Sequence, residues 1–334
     1  MQLWEVIQSR RASTAAALAL SIAPWANPMA ANIDPQVASK PISELSPTAR
    51  IRVGKTADWV AIVPDAVWVG STGPFAVHRI DPKTNRLVAT ISLPGNPCAG
   101  LASGFGSLWV PLCGHAPALA KVDLSSNKLV SLIKLAAVTA EGGVTASTDS
   151  VWVVVDSVGS LARISPDTGV VRQIVRVPAG SFNPLYNDGQ IWITRAIGAE
   201  VTIIDAFDGT LLATVFTGPN PRFLTAGGDA VWTLNQGDGS LTRIDTQTRS
   251  TKTIGLGTPG HGGDISFGGG MIWTTMANIP LSAIDASAVS LRCHWTGPGG
   301  DSLGIGHGAI WLTDYHAGTI SRIGLEDALT HCKK

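Results

Sequence analysis

The sequence predicts an all-β chain: a seven-bladed β-propeller with four-stranded antiparallel blades, closed by an N-terminal strand that completes the last blade. Three observations predict it. Seven tryptophans that follow a turn (Trp68, Trp109, Trp152, Trp192, Trp232, Trp273 and Trp311) lie 38 to 43 residues apart. About 12 residues after each comes a second marker: Ile80, Val122, Ile164, Ile204, Ile244, Ile284 and Ile323. Between the markers each unit holds four short β-branched runs separated by Gly, Asn and Asp. A repeat of this length with four strands is a propeller blade.

Taken in order, the chain opens with Arg10-Arg11, an Ala/Leu run from Ala15 to Ala23, and small residues Pro28-Met29-Ala30-Ala31. A cationic start, a short apolar stretch and a small-residue exit predict a secretory signal over residues 1–31, too short to span a bilayer as a helix. Residues 32–48, rich in Pro, Ser, Ala and Lys, read as a linker. The propeller is expected over 49–330, with a tail at 331–334. Its fifth unit shows the pattern: Phe223 to Ala226, Ala230 to Asn235, Leu241 to Asp245 and Ser250 to Ile254, each pair joined by turn residues. One such meander cannot cover both of its faces, so blades stack, and the tryptophan fills the space between neighbours. The seventh unit has only three strands before Leu325-Glu326-Asp327-Ala328 turns helical. Ala49 to Val53 is an orphan strand at the other end, and using it as the missing outer strand removes an open edge. An open or six-bladed ring is the alternative.

Charged residues are 14% of the 334 and the formal net charge is zero, which argues against a disordered chain and against nucleic-acid binding. No transmembrane segment is expected in the mature chain, and a monomer is expected. Four cysteines fit an oxidising compartment, periplasmic or secreted. Cys98 and Cys113 flank a hairpin turning at Gly104-Phe105-Gly106, so they are expected to face each other and pair. Cys293 ends a strand and Cys332 stands near the C-terminus, so this pair is expected to clasp the tail. Zinc is disfavoured, since no Cys-x-x-Cys occurs.

The unit Asp-x-x-Trp, a Gly-containing turn and then Arg-Ile-Asp, as in Asp229 to Asp245, resembles the seven-bladed propellers of the streptogramin (virginiamycin B) lyase-like and YVTN (YncE-like) group. The resemblance covers nearly all of the mature chain. It implies ligand sites at the mouth of the central channel, in the loops that lead into each first strand and leave each second. On the enzyme branch it implies a divalent cation such as Mg²⁺ and a histidine base. His261 sits where that group carries its inner-strand histidine, and Asp314 where it carries a Glu. The second histidine is absent, the equivalent stretch reading Gly218-Pro219-Asn220-Pro221-Arg222.

The channel-mouth candidates are therefore His261 as catalytic base or ligand, and Glu141, Arg222, Asp264, Asp301, Asp314 and His316 as binding residues. The residues themselves fix no metal or other cofactor. Each has a plainer reading: His261 between glycines is an ordinary loop histidine, Asp314-Tyr315-His316 is ordinary turn chemistry, and Glu141 is a solvated rim carboxylate. His307 is expected to be structural. The aspartates after the second marker (Asp81, Asp123, Asp205, Asp245 and Asp285) recur in register, which marks hairpin caps rather than chemistry. Two functions follow. One is an exported propeller that binds a small molecule or a protein at its channel face without catalysis. The other is a metal-dependent lyase or lactone hydrolase.

Overall fold

The computed structural model describes residues 37–138, 140–256, 260 and 262–332. The expected signal (1–31) and His261 lie outside them. Seven sheets follow one another along the chain: blade one over 58–92, two over 96–134, three over 144–176, four over 181–216, five over 221–255 and six over 264–296. Blade seven is 303–324 together with Ala49–Arg52, which pairs antiparallel with Thr319–Gly324. The innermost strand of each blade adjoins that of the next, and blade seven adjoins blade one, so the ring closes.

Stacking between blades is carried by the repeated tryptophans. All seven are fully buried. Trp68 packs on Leu108 and Val110 of blade two. Trp232 packs on Ile265 and Ile272 of blade six, and Trp311 on Val67 and Val69 of blade one. The cation before the second marker stands opposite the tryptophan in the ladder, as in Trp109↔Lys121 and Trp152↔Arg163. There Lys121 and Arg163 lie over the indole faces, each 5.3 Å from the ring centre. The marker aspartates cap their hairpins: Asp123 accepts from the Ser126 hydroxyl and amide, each at 2.7 Å, and Asp245 from the Thr248 amide at 2.8 Å and hydroxyl at 3.0 Å. Those bonds hold both carboxyls down at about 2. His307 bonds the Val63 carbonyl at 2.9 Å, tying blade seven to blade one.

Three details depart from expectation. The stretch expected as a linker carries a strand, Ala38–Pro41, which adds in parallel to the outer strand of blade six. The C-terminal helix, Leu325–Cys332, runs two residues into the expected tail. Blade two's inner strand is split into Asn96–Pro97 and Ala102–Gly104, and its register shifts between the pieces. Asn96, rather than Cys98, therefore stands opposite Cys113. Cys98 and Cys113 are bonded nonetheless, with Cα atoms 5.8 Å apart, and Cys293 is bonded to Cys332 at 5.5 Å.

Candidate functional site

Near the axis the inner strands converge until side chains have little room. A Cβ on Gly304 or Gly306 of blade seven would run into Ile62 of blade one, at 2.9 and 2.5 Å. At the mouth this crowding is relieved by β-bulges, which re-aim a side chain where the ladder is broken. Blade one breaks between Asp58 and Val60, blade four between Ser181 and Pro184, and blade five between Pro221 and Phe223. The residues released are Trp59, Phe182 with Asn183, and Arg222.

Trp59 closes the channel. Its φ is 57°, a conformation a bulky residue adopts only when its surroundings impose it. Its amide donates to the Asp58 carboxylate at 2.8 Å, and its ring lies 6.2 Å from Phe223 of blade five. Opposite, Arg222 lies 3.8 Å over the Phe182 ring and pairs with Glu141 at 2.6 Å. That ion pair spans blades three and five and covers the mouth on one side.

The other side stays open as a pocket of about 590 Å³ above Trp59, lined by Asp58, Glu141, Asp301, Asp314, Tyr315 and His316 among others. Apart from Glu141 and Ala140, its walls come from blades one, two, six and seven. No Lys or Arg is among the described residues that line it.

The carboxylates beneath and beside it are unusual. Asp264 is half-buried under the mouth, where one oxygen accepts from the Ile265 amide at 2.8 Å. The other accepts from the Ser302 hydroxyl at 2.6 Å and the Leu303 amide at 3.2 Å. Ser302 in turn accepts from the Val60 amide at 3.2 Å, so one relay ties blades one, seven and six. Burial pushes the Asp264 carboxyl up to about 6, against the pull of its hydrogen bonds. Asp58 and Asp301 share a hydrogen bond, which stabilises the charge on Asp301 and the proton on Asp58. Burial raises both, and the charge on Asp301 raises Asp58 further.

The structure thus brings Glu141, Asp301, Asp314 and His316 to one pocket, places Asp264 below it and Arg222 across from it. Asp314 spends a carboxylate oxygen on its own turn, accepting from the Ala317 amide at 3.0 Å, and His316 meets Tyr315 edge-on. Asp58 stands at the spacing that marks the other mouth residues, ten before its tryptophan, so the sequence places it at the mouth with them; burial, which spacing does not show, is what singles it out. The Mg²⁺ that the enzyme branch implies would draw on these carboxylates and on His261, which lies outside the described residues. Asp264 is committed to three protein hydrogen bonds, and burial raises the carboxyls of both Asp58 and Asp301. Among the described residues no group of three or more such side chains is placed to hold an ion.

The fold defines the chain as a seven-bladed β-propeller. Two solved structures are similar to it. The streptogramin B lyase structure matches with a TM-score of 0.68 at 17% identity, over 83% of this chain and 96% of that one. BamB from Moraxella catarrhalis matches with a TM-score of 0.64 at 11% identity, over 84% and 99%. At these identities the likeness is one of fold. No protein-family profile matches the sequence, and no curated protein sequence does.

Proposed function

We propose that this chain is an exported propeller that binds a small molecule or a protein segment at its channel mouth, without catalysis, and that the bound group carries a positive charge. The pocket carries this reading: a recess of about 590 Å³ floored by Trp59 and walled by carboxylates, with no Lys or Arg among the described residues that line it. An aromatic floor and acidic walls favour an organic cation. The non-catalytic part is supported by how the carboxylates are used. Asp58, Asp264 and Asp314 accept from backbone amides, Asp264 also from Ser302, and Glu141 from Arg222, while Trp59 against Phe223 separates the mouth from a cavity of about 340 Å³ along the channel. Export to a periplasmic or extracellular space is supported by the two disulfides and by the signal-like residues 1–31.

The test is calorimetric titration of the mature protein with choline, arginine amide and Mg²⁺, repeated on Asp301→Asn and Asp314→Asn. An organic cation is expected to bind, and each variant to weaken it about tenfold, the scale of one charge-assisted contact. Indifference to both organic cations, or Mg²⁺-dependent opening of a lactone substrate, would overturn the reading.

A further inference from the structure

Except in blade six, where Ala38–Pro41 covers it, the outer strand of each blade faces solvent along one edge, where unpaired backbone groups invite another strand. Six of the seven carry basic residues: Arg86 in blade one, Lys128 and Lys134 in two, Arg172 and Arg176 in three, Lys252 in five, Arg292 in six, Arg50 and Arg52 in seven. Such charges are the usual guard against edge-to-edge pairing. Blade four has none. Its outer strand, Leu211–Phe216, reads Leu-Leu-Ala-Thr-Val-Phe.

The register makes the difference specific. The first residue of the third strand faces Lys134 in blade two, Arg176 in blade three and Phe216 in blade four. Phe216 is 74% exposed and Leu211 61%, and Phe207 in the adjoining hairpin is 81% exposed. That hairpin is fastened from blade three: Arg163 donates to the Phe207 carbonyl, and Gln173 to the Asp208 carbonyl at 3.0 Å. The strand pairs on one side only, with Glu200–Asp205.

We propose that this edge is where two copies of the chain pair, Leu211–Phe216 against its symmetry mate, antiparallel about a two-fold axis. The occupant follows from charge. In a two-fold antiparallel pair both strands carry the same charges, so two copies of a strand whose only charges are Lys or Arg repel each other as a whole, whichever residues stand opposite. Only blade four's outer strand is free of that penalty, and it offers a charged partner strand no counter-ion. Blade six shows that an outer strand of this ring accepts another: Ala38–Pro41 pairs along it. The assembly departs from the monomer expected from sequence, and it leaves the channel mouth untouched.

Sedimentation equilibrium from nanomolar to high micromolar concentration tests it. The expected result is a reversible dimer that becomes monomeric in Phe216→Lys and in Leu212→Lys. Val88→Lys, at an exposed position of blade one, should remain dimeric. Amide exchange in residues 211–216 should slow as the wild type is concentrated, a readout that needs no variant. A wild type that stays monomeric throughout, which would leave the edge to another protein's strand, overturns the proposal. So does a dimer that survives both substitutions.

Discussion

The two sides of the channel mouth are made from one repeat and have ended differently. On blades three to five the mouth is shut: Arg222 lies on Phe182 and reaches across to Glu141. On blades six, seven, one and two it is open, and buried carboxylates stand where the shut side has an ion pair and a stacked ring. The bulges lie at corresponding places in blades one, four and five. The repeat therefore fixes where a side chain is turned into the mouth, and the residue found there decides what it does. Trp59 joins the sides, since it belongs to the open one and packs on Phe223 of the shut one.

Removing that joint should have the largest effect. Trp59→Ala deletes a side chain only 6% exposed and is expected to cost about 3–5 kcal/mol in urea unfolding. The loss should be coupled to Phe223: in a double-mutant cycle the second truncation should cost less once the first is made. Additive losses would mean that the two rings do not lean on each other and that the sides are independent.

The carboxylates of the open side give a pH signature of the next size. Burial raises the folded Asp264 carboxyl to about 6 from 3.8. Between those values the folded protein binds more protons than the unfolded chain. Stability should then fall as pH rises through the window, by about 3 kcal/mol. The raised Asp58 and Asp301 act in the same direction. His78 opposes them: burial between Ser71 and Thr90 lowers its imidazole to about 4 from 6.5, so its contribution is lost as pH falls through that range. The slopes partly cancel in the wild type, and variants separate them. His78→Gln should leave stability falling from pH 4 to 6, whereas Asp264→Asn should make it rise more steeply with pH. Parallel curves for the two variants would sink the assignment.

The blades were legible because their signals are local and repeated. Trp232, Arg243 and Asp245 need only their own hairpin and its neighbour; the tryptophan recurs in all seven copies, and the cation and the aspartate each in five. The closing strand Ala49–Arg52 was legible as well, from a strand missing at the far end. The strand Ala38–Pro41 was not. Ala-Ser-Lys-Pro has no β-branched residue, and its pairing with blade six is a tertiary contact that overrides a weak propensity. At the mouth, spacing found Glu141, Asp264 and Asp301, since the inner strand starts at a fixed distance before its tryptophan, and Asp314, since the second strand ends at a fixed distance after it. It did not give the pairing of Asp58 with Asp301, nor Trp59 as a plug. Both depend on residues brought together from different blades and on a left-handed φ that no sequence pattern marks.

The smallest effect belongs to the shut side, and it tells what shuts it. The Glu141 side chain is 50% exposed, so its ion pair with Arg222 is worth at most about 1 kcal/mol. Glu141→Gln should cost no more than that, and the difference should shrink in high salt. Arg222→Ala removes the same pair and also uncovers the Phe182 ring, which the guanidinium meets at 3.8 Å, so it should cost more and keep its excess in salt. Unfolding of the two variants at low and high ionic strength makes the comparison. If Glu141→Gln proves as costly as Arg222→Ala, charge rather than stacking holds that side closed. The two sides of the mouth would then differ only in how their carboxylates are paired.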